Sequence, residues 1–232
     1  MEDRHMRIKK AFLPKYVRFP LLLMILVNNA AYILPSRLFA TDVTRYDLTT
    51  ALDVMLPCVP FFVLIYVLCY AQWAGSYILH CRDSVQLCYR LVTANMITKI
   101  VCLICYVVIP TQIQRPEILG NDIFSWGTRL IYEIDDPVNL LPSIHCLESW
   151  ICFRGAMMLK KKNGWYIAAQ GIFTLLVFAS TVLIKQHFVI DIPVSILLCE
   201  LALFLAGPCG LWQIFHKIQT PSAKAWLKEN SD

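Results

Sequence analysis

Two histidines at the ends of hydrophobic stretches carry the chemistry legible in this chain. His145 closes the run Leu141-Pro142-Ser143-Ile144-His145, and His187 sits inside Lys185-Gln186-His187-Phe188-Val189-Ile190-Asp191. Asp191 follows His187 by four residues, so on a helix the two side chains share a face. A carboxylate that accepts an imidazole N–H fixes the tautomer and leaves the other ring nitrogen as a nucleophile. The same spacing also describes an ordinary helix start, where an acidic residue favours the first turn. Pro142 and Ser143 read as a second helix start. Ser143 caps, and His145 falls in the first turn, where unbonded N–H groups and the helix dipole favour an anion. Placed there, His145 can protonate a leaving oxygen as a general acid while Ser143 donates to phosphate. A plain cap beside an interfacial histidine fits the same residues. Glu148, one turn further in, either orients His145 or pairs with a cation. Upstream, Arg115-Pro116 offers a planar fork of donors suited to phosphate oxygens, and Lys185 adds a second cation. Each of these cations equally suits anchoring at a headgroup surface. As a set, the residues suit phosphate handling at a membrane surface.

The elements that must position them are membrane helices. Of 232 residues, 58% are hydrophobic and only 16% charged, too few charges to cover a soluble domain of this size. A span needs about 20 mostly apolar residues. Six stretches qualify: 19–34, 58–79, 91–109, 144–159, 165–184 and 188–212. No repeat, linker or low-complexity tract divides residues 1–232, which predicts one all-α, polytopic six-helix membrane domain. The basic segment before Leu21–Val27 resembles a signal peptide, but no clear small-residue cleavage site follows and Asn28-Asn29 interrupt the apolar run. An uncleaved first helix is expected.

Lys and Arg placement orients the bundle. Arg4, Arg7, Lys9, Lys10, Lys15, Arg18, Arg82, Arg90, Lys160, Lys161, Lys162, Lys217, Lys224 and Lys228 fall on one side, fourteen against the five of Arg37, Arg45, Arg115, Arg129 and Lys185. Both termini are therefore expected in the cytoplasm. Arg115, His145, His187 and Asp191 then share the extracytoplasmic side, although nothing in the count required it. The net charge of +5 is mostly this bias and does not point to nucleic acid. Most of the ten cysteines, such as Cys69, Cys102, Cys105, Cys152 and Cys199, lie inside predicted helices as small apolar residues. Cys102 and Cys105 are three apart, but on an apolar helix where a structural role is expected, and Cys58 and Cys146 lie near the outer face, where a bridge is conceivable.

Together these residues resemble the type-2 phosphatidic acid phosphatase superfamily and its vanadium haloperoxidase relatives. That family's signature runs K-x6-R-P, then P-S-G-H, then S-R-x5-H-x3-D. The second part stands here as Pro142-Ser143-Ile144-His145. The third stands as Ser180-Thr181, five residues, His187, three residues and Asp191, and the first keeps only Arg115-Pro116. Asp136-Pro137-Val138-Asn139, and Asp53 ahead of Pro57 and Pro60, look like the lipid phosphatase and inositol phosphotransferase-like branch. Val108 and Thr181 occupy the positions of two family cations and Ile144 that of a glycine, with Lys185 as a stand-in for one cation. The resemblance implies a metal-independent enzyme without cofactor, acting on a lipid phosphate such as phosphatidic acid or a polyprenyl pyrophosphate. In it His187 is the nucleophile, Asp191 orients the ring, and His145 is the acid–base. Arg115, Ser143 and Lys185 hold the phosphoryl oxygens. An alcohol acceptor such as inositol would make it a head-group phosphotransferase instead, and the two missing cations leave a silent lipid binder as a third reading. The resemblance and the small size imply a bacterial plasma membrane, with the site at the outer ends of the last four spans and the first two serving for packing and lipid contact.

Three ionisable residues, Lys99, Arg154 and Glu200, lie about ten residues inside their spans, roughly 15 Å deep at 1.5 Å per residue. Charge at that depth faces the interior or pairs. Glu200 is expected to meet Lys99 or Arg154.

Overall fold

The structure, a computed structural model, describes residues 13–38 and 43–218. Arg4, Arg7, Lys9, Lys10, Lys224 and Lys228, six of the cations counted for orientation, lie outside the described residues. Helix α1 (Lys15–Leu38) is followed by the short α2 (Ala51–Met55) and a 3₁₀ turn at Pro60–Phe62. The turn runs into α3 (Val63–Asp83), and α4 (Val85–Val108) follows. Next come α5 (Ile123–Ile134), α6 (Ile144–Met157), α7 (Gly164–Leu183), α8 (Asp191–Ala206) and a terminal α9 (Gln213–Ile218). No strand forms among the described residues. Two isolated bridges, Tyr46 with Thr111 and Gln112 with Val138, tie the loops at the site end of the bundle.

Local chemistry sets the helix ends. Ser84 alone separates α3 from α4: its backbone is extended, which stops α3, and its hydroxyl accepts from Leu87 N at 3.3 Å, which starts α4. α4 runs 24 residues without Gly or Pro and stops before Pro110, because the residue ahead of a proline is pushed out of the helical region. Asp122 caps α5, Ser143 caps α6 and Asn163 caps α7, each accepting from backbone N–H groups of the first turn.

α4 is the central element and packs against α1, α3, α6 and α8. Its buried face includes Tyr89, Leu91, Val92, Cys102 and Tyr106. All ten cysteines are free. Cys69, Cys81, Cys88, Cys102, Cys146, Cys152 and Cys199 are buried, filling narrow gaps between helices as small apolar side chains do. Cys58 and Cys146 are not bridged: Cys58 Sγ lies 4.0 Å from the Tyr132 hydroxyl, and Cys146 Sγ 3.9 Å from the Thr181 hydroxyl. At Gly155 a Cβ would stand 2.5 Å from His80 Nδ1, so only glycine lets α6 approach α3 this closely.

Among the described residues, four helices are long and apolar enough to cross a membrane: Lys15–Pro35, Pro60–Asp83, Val85–Val108 and Gly164–Leu183. They match the first, second, third and fifth stretches read from the sequence. The other two are shorter helices than expected. α6 has 14 residues and α8 has 16, about 21 and 24 Å at 1.5 Å per residue. Gly207 closes α8 well before Trp212. The sequence reading missed α5, whose Ile123, Trp126 and Ile134 point outward while Ser125 and Thr128 are buried.

Of the deep charges, Glu200 meets Arg154 at 2.6 Å, and Trp150 Nε1 donates to the same carboxylate oxygen at 2.7 Å. Lys99 does not join them. It pairs with Glu148 at 2.7 Å, and Asn95 Nδ2 and the Tyr77 hydroxyl also donate to that carboxylate. Of the two roles left open for Glu148, pairing with a cation is the one observed.

Candidate functional site

The site gathers where α6 and α8 begin. Tyr106 on α4 donates its hydroxyl to Pro142 O at 2.6 Å, and Ser195 on α8 donates to Ser143 O at 3.3 Å. These two bonds seat the start of α6 between its neighbours. His145, the second residue of α6, is 7% exposed. Its ring stacks on Tyr66 with centroids 4.1 Å apart, and its Nε2 lies 3.3 Å from the Tyr70 hydroxyl.

His187 sits in the turn between α7 and α8. Backbone N–H groups of Gln186 and His187 both donate to Thr181 O, which folds the chain back at the end of α7. Lys185 adopts φ +53°, a conformation costly for a residue with a Cβ. Its ammonium holds that geometry by donating to Asp53 O at 2.6 Å and Leu56 O at 2.7 Å. Asp53 braces the same turn through Val189 N at 2.7 Å. His187 Nδ1 stands 2.9 Å from Asp191 Oδ2 and 3.1 Å from Leu140 O. Both partners accept, so Nδ1 carries the hydrogen and Nε2 keeps its lone pair. Leu140 is itself fixed by Thr111, whose hydroxyl oxygen accepts from Leu140 N at 2.8 Å.

The two imidazole centroids are 5.9 Å apart at an interplanar angle of 57°. Both rings line one cavity of about 270 Å³, together with Tyr66, Tyr70 and Trp73 of α3 and Asn28 of α1. α1 and α3 thus furnish cavity wall, a correction to the expectation that the first two spans serve only for packing and lipid contact. Their contribution had a trace in the sequence. Tyr66, Tyr70 and Trp73 recur at helical spacing, and Asn28-Asn29 interrupt an apolar run.

The sequence-derived set divides in two. His145, His187 and Asp191 come together. Ser143 is adjacent but fully buried, its hydroxyl oxygen accepting from Cys146 N at 3.4 Å as the α6 cap. Lys185 faces the carbonyls of residues 53 and 56 rather than the cavity. Arg115 donates to Asp135 O at 2.7 Å, Tyr132 O at 3.3 Å and Gln186 Oε1 at 2.5 Å, with its guanidinium 4.7 Å from the Tyr132 ring centre. Burial pushes the Arg115 pKa down and the Asp135 carboxylate opposes that shift. Among the described residues no lysine or arginine lines the cavity, whereas Asp135 and Asp136 do. Gln186, between Lys185 and His187, also lines it and was not singled out from the sequence.

The arrangement offers an imidazole with one ring nitrogen held by Asp191 and Leu140 O, a second imidazole across a small gap, and an aromatic wall of Tyr66, Tyr70 and Trp73 against that second ring. Comparison of the chain with protein-family models, with curated proteins and with solved structures gives no match.

Proposed function

We propose that the protein is an integral-membrane, metal-independent lipid phosphate phosphatase of the type-2 phosphatidic acid phosphatase kind, working through a phosphohistidine. The observation that carries the reading is the pair of imidazoles 5.9 Å apart across one cavity, with Asp191 fixing the His187 tautomer. His187 Nε2 attacks phosphorus, forming a P–N bond as the P–O bond to the lipid breaks. His145 gives its proton to the departing oxygen. In the second half-reaction His145 takes a proton from water as that oxygen attacks phosphorus, the P–N bond breaks, and phosphate leaves. The substrate is a phosphomonoester or pyrophosphate of a lipid, phosphatidic acid or a polyprenyl pyrophosphate by type.

The reading places α6 and α8 as two further spans, giving six, with the site on the extracytoplasmic side of a bacterial plasma membrane. Leu197, Leu201 and Phe204 of α8 are exposed apolar side chains, as contact with acyl chains requires. A span needs about 30 Å, and this reading takes the remaining length from the turns that flank each of these helices.

One observation favours an alcohol acceptor instead. Asp135, Asp136, Asn28 and Asn29 line the cavity beyond the histidines, and their oxygens and amides suit hydroxyl groups. Phosphate release from phosphatidic acid and from a polyprenyl pyrophosphate in detergent, with and without inositol, separates the two. Free phosphate without added alcohol is the expected result. Phosphorylated inositol in its place selects the phosphotransferase, and neither product removes both and leaves a silent lipid binder.

A further inference from the structure

Gln186 carries an unexplained polar group. The residue is 2% exposed, it lines the cavity beside His187, and its amide nitrogen has no hydrogen-bond partner. A buried amide N–H left unbonded costs about 1–3 kcal/mol. Other buried polar atoms such as Ser76 Oγ and Tyr89 OH share that state, and Gln186 is set apart by its place in the cavity lining next to His187. Which end of the amide faces where is settled by its neighbour. Arg115 has only donors, so the atom 2.5 Å from Nη2 is the carbonyl oxygen, and the NH₂ group takes the other side. Arg115 is in turn held by Asp135 O and Tyr132 O, and cannot turn away without losing both.

Resting on the phosphoryl-transfer reading above, we infer that Gln186 is a catalytic residue: its Nε2 donates to an equatorial oxygen of the phosphoryl group under attack by His187. Arg115 acts through it as a positioning residue. The guanidinium polarises the amide and locks its rotation, so a neutral donor with a fixed direction meets the developing charge. This explains how a cavity without lysine or arginine in its described lining can stabilise an oxyanion. It also gives the Gln186-His187 neighbourhood a purpose: one residue supplies the donor and the next the nucleophile, both pinned by Thr181 O through their backbone N–H groups. Preorganised donors of this type are worth on the order of a hundredfold to a thousandfold in turnover.

The probe is orthovanadate, which adopts the five-coordinate geometry of phosphoryl transfer, titrated into the full-length protein in detergent. Gln186→Met removes donor and acceptor together. Gln186→Glu keeps an oxygen for Arg115 but has no N–H to offer. Wild type is expected to bind vanadate and His187→Ala not to. Both Gln186 variants should weaken binding by at least about tenfold, with Gln186→Glu unfolding at the wild-type temperature or above. Gln186→Glu also brings a negative charge that repels vanadate whatever the amide does, so weakened binding there counts only together with Gln186→Met. Wild-type binding in Gln186→Glu overturns the inference while leaving the reading intact. Wild-type affinity in Gln186→Met overturns it equally, and should that variant fail to fold, the uncharged Gln186→Leu takes its place. A wild-type protein that ignores vanadate, or a His187→Ala protein that binds it, removes the phosphoryl-transfer reading itself.

Discussion

Replacing His187 with alanine is expected to abolish the proposed turnover while the helices remain in place. Loss of a covalent nucleophile costs far more than loss of a binding contact, here at least about 10⁴-fold in kcat. The fold survives because the ring contributes little to the core. Its bonds go to Asp191 and to Leu140 O, and Asp191 keeps a second donor in Phe188 N at 3.2 Å. The stability cost is the unmet share of one carboxylate, about 1–3 kcal/mol. Kinetics on a substrate found by the phosphate-release screen, with circular dichroism as the fold control, makes the check. Activity within about tenfold of wild type in a folded His187→Ala protein removes the residue as nucleophile.

The largest effect on stability is expected at Lys99 and Glu148, an ion pair buried one helical turn from His145. Lys99 is fully buried, and Glu148 receives its ammonium together with Asn95 and Tyr77. Removing one partner strands the other charge in a low-dielectric interior, at a cost of about 3–5 kcal/mol. Removing both leaves no stranded charge, and a well-packed apolar pair in their place is close to neutral. Lys99→Met and Glu148→Leu should therefore each lower the unfolding temperature sharply in detergent, while the double variant recovers most of the loss. A double variant as unstable as the sum of the singles contradicts the pairing. Because Glu148 lies one turn below His145 on α6, the pair also fixes where that helix sits against α4.

What could be read from the sequence divides along physical lines. The apolar runs that became α1, α3, α4 and α7 were visible because a bilayer imposes length and composition, and Ser84 and Asn163 mark two of their starts. α5 was not visible, because its apolar residues make only an outward stripe on a 12-residue helix. The spacing of His187 and Asp191 was legible but also fitted an ordinary helix start. His145 joined them only through the shared outer side and the family resemblance. In the structure His187 lies in the turn ahead of α8, whose first residue is Asp191. Lys185 and Arg115 were legible as cations but not as to where they point. Their partners are backbone carbonyls at residues 53, 56, 132 and 135, and a carbonyl leaves no mark in a sequence. Depth counting placed Glu200 within reach of a cation and found Arg154, but it ignored rotation about each helix. That omission is why Lys99, at a similar depth, belongs to Glu148 instead.

The covalent intermediate offers the most direct measurement. The protein is mixed with a lipid phosphate labelled at phosphorus, quenched within one turnover under alkaline conditions that preserve phosphohistidine, and digested for mass spectrometry. A phosphoryl group on His187, absent from Asp191→Asn or greatly reduced there, is the expected result. Turnover with no label on His187, or label on His145 in its place, contradicts the assignment of nucleophile and acid.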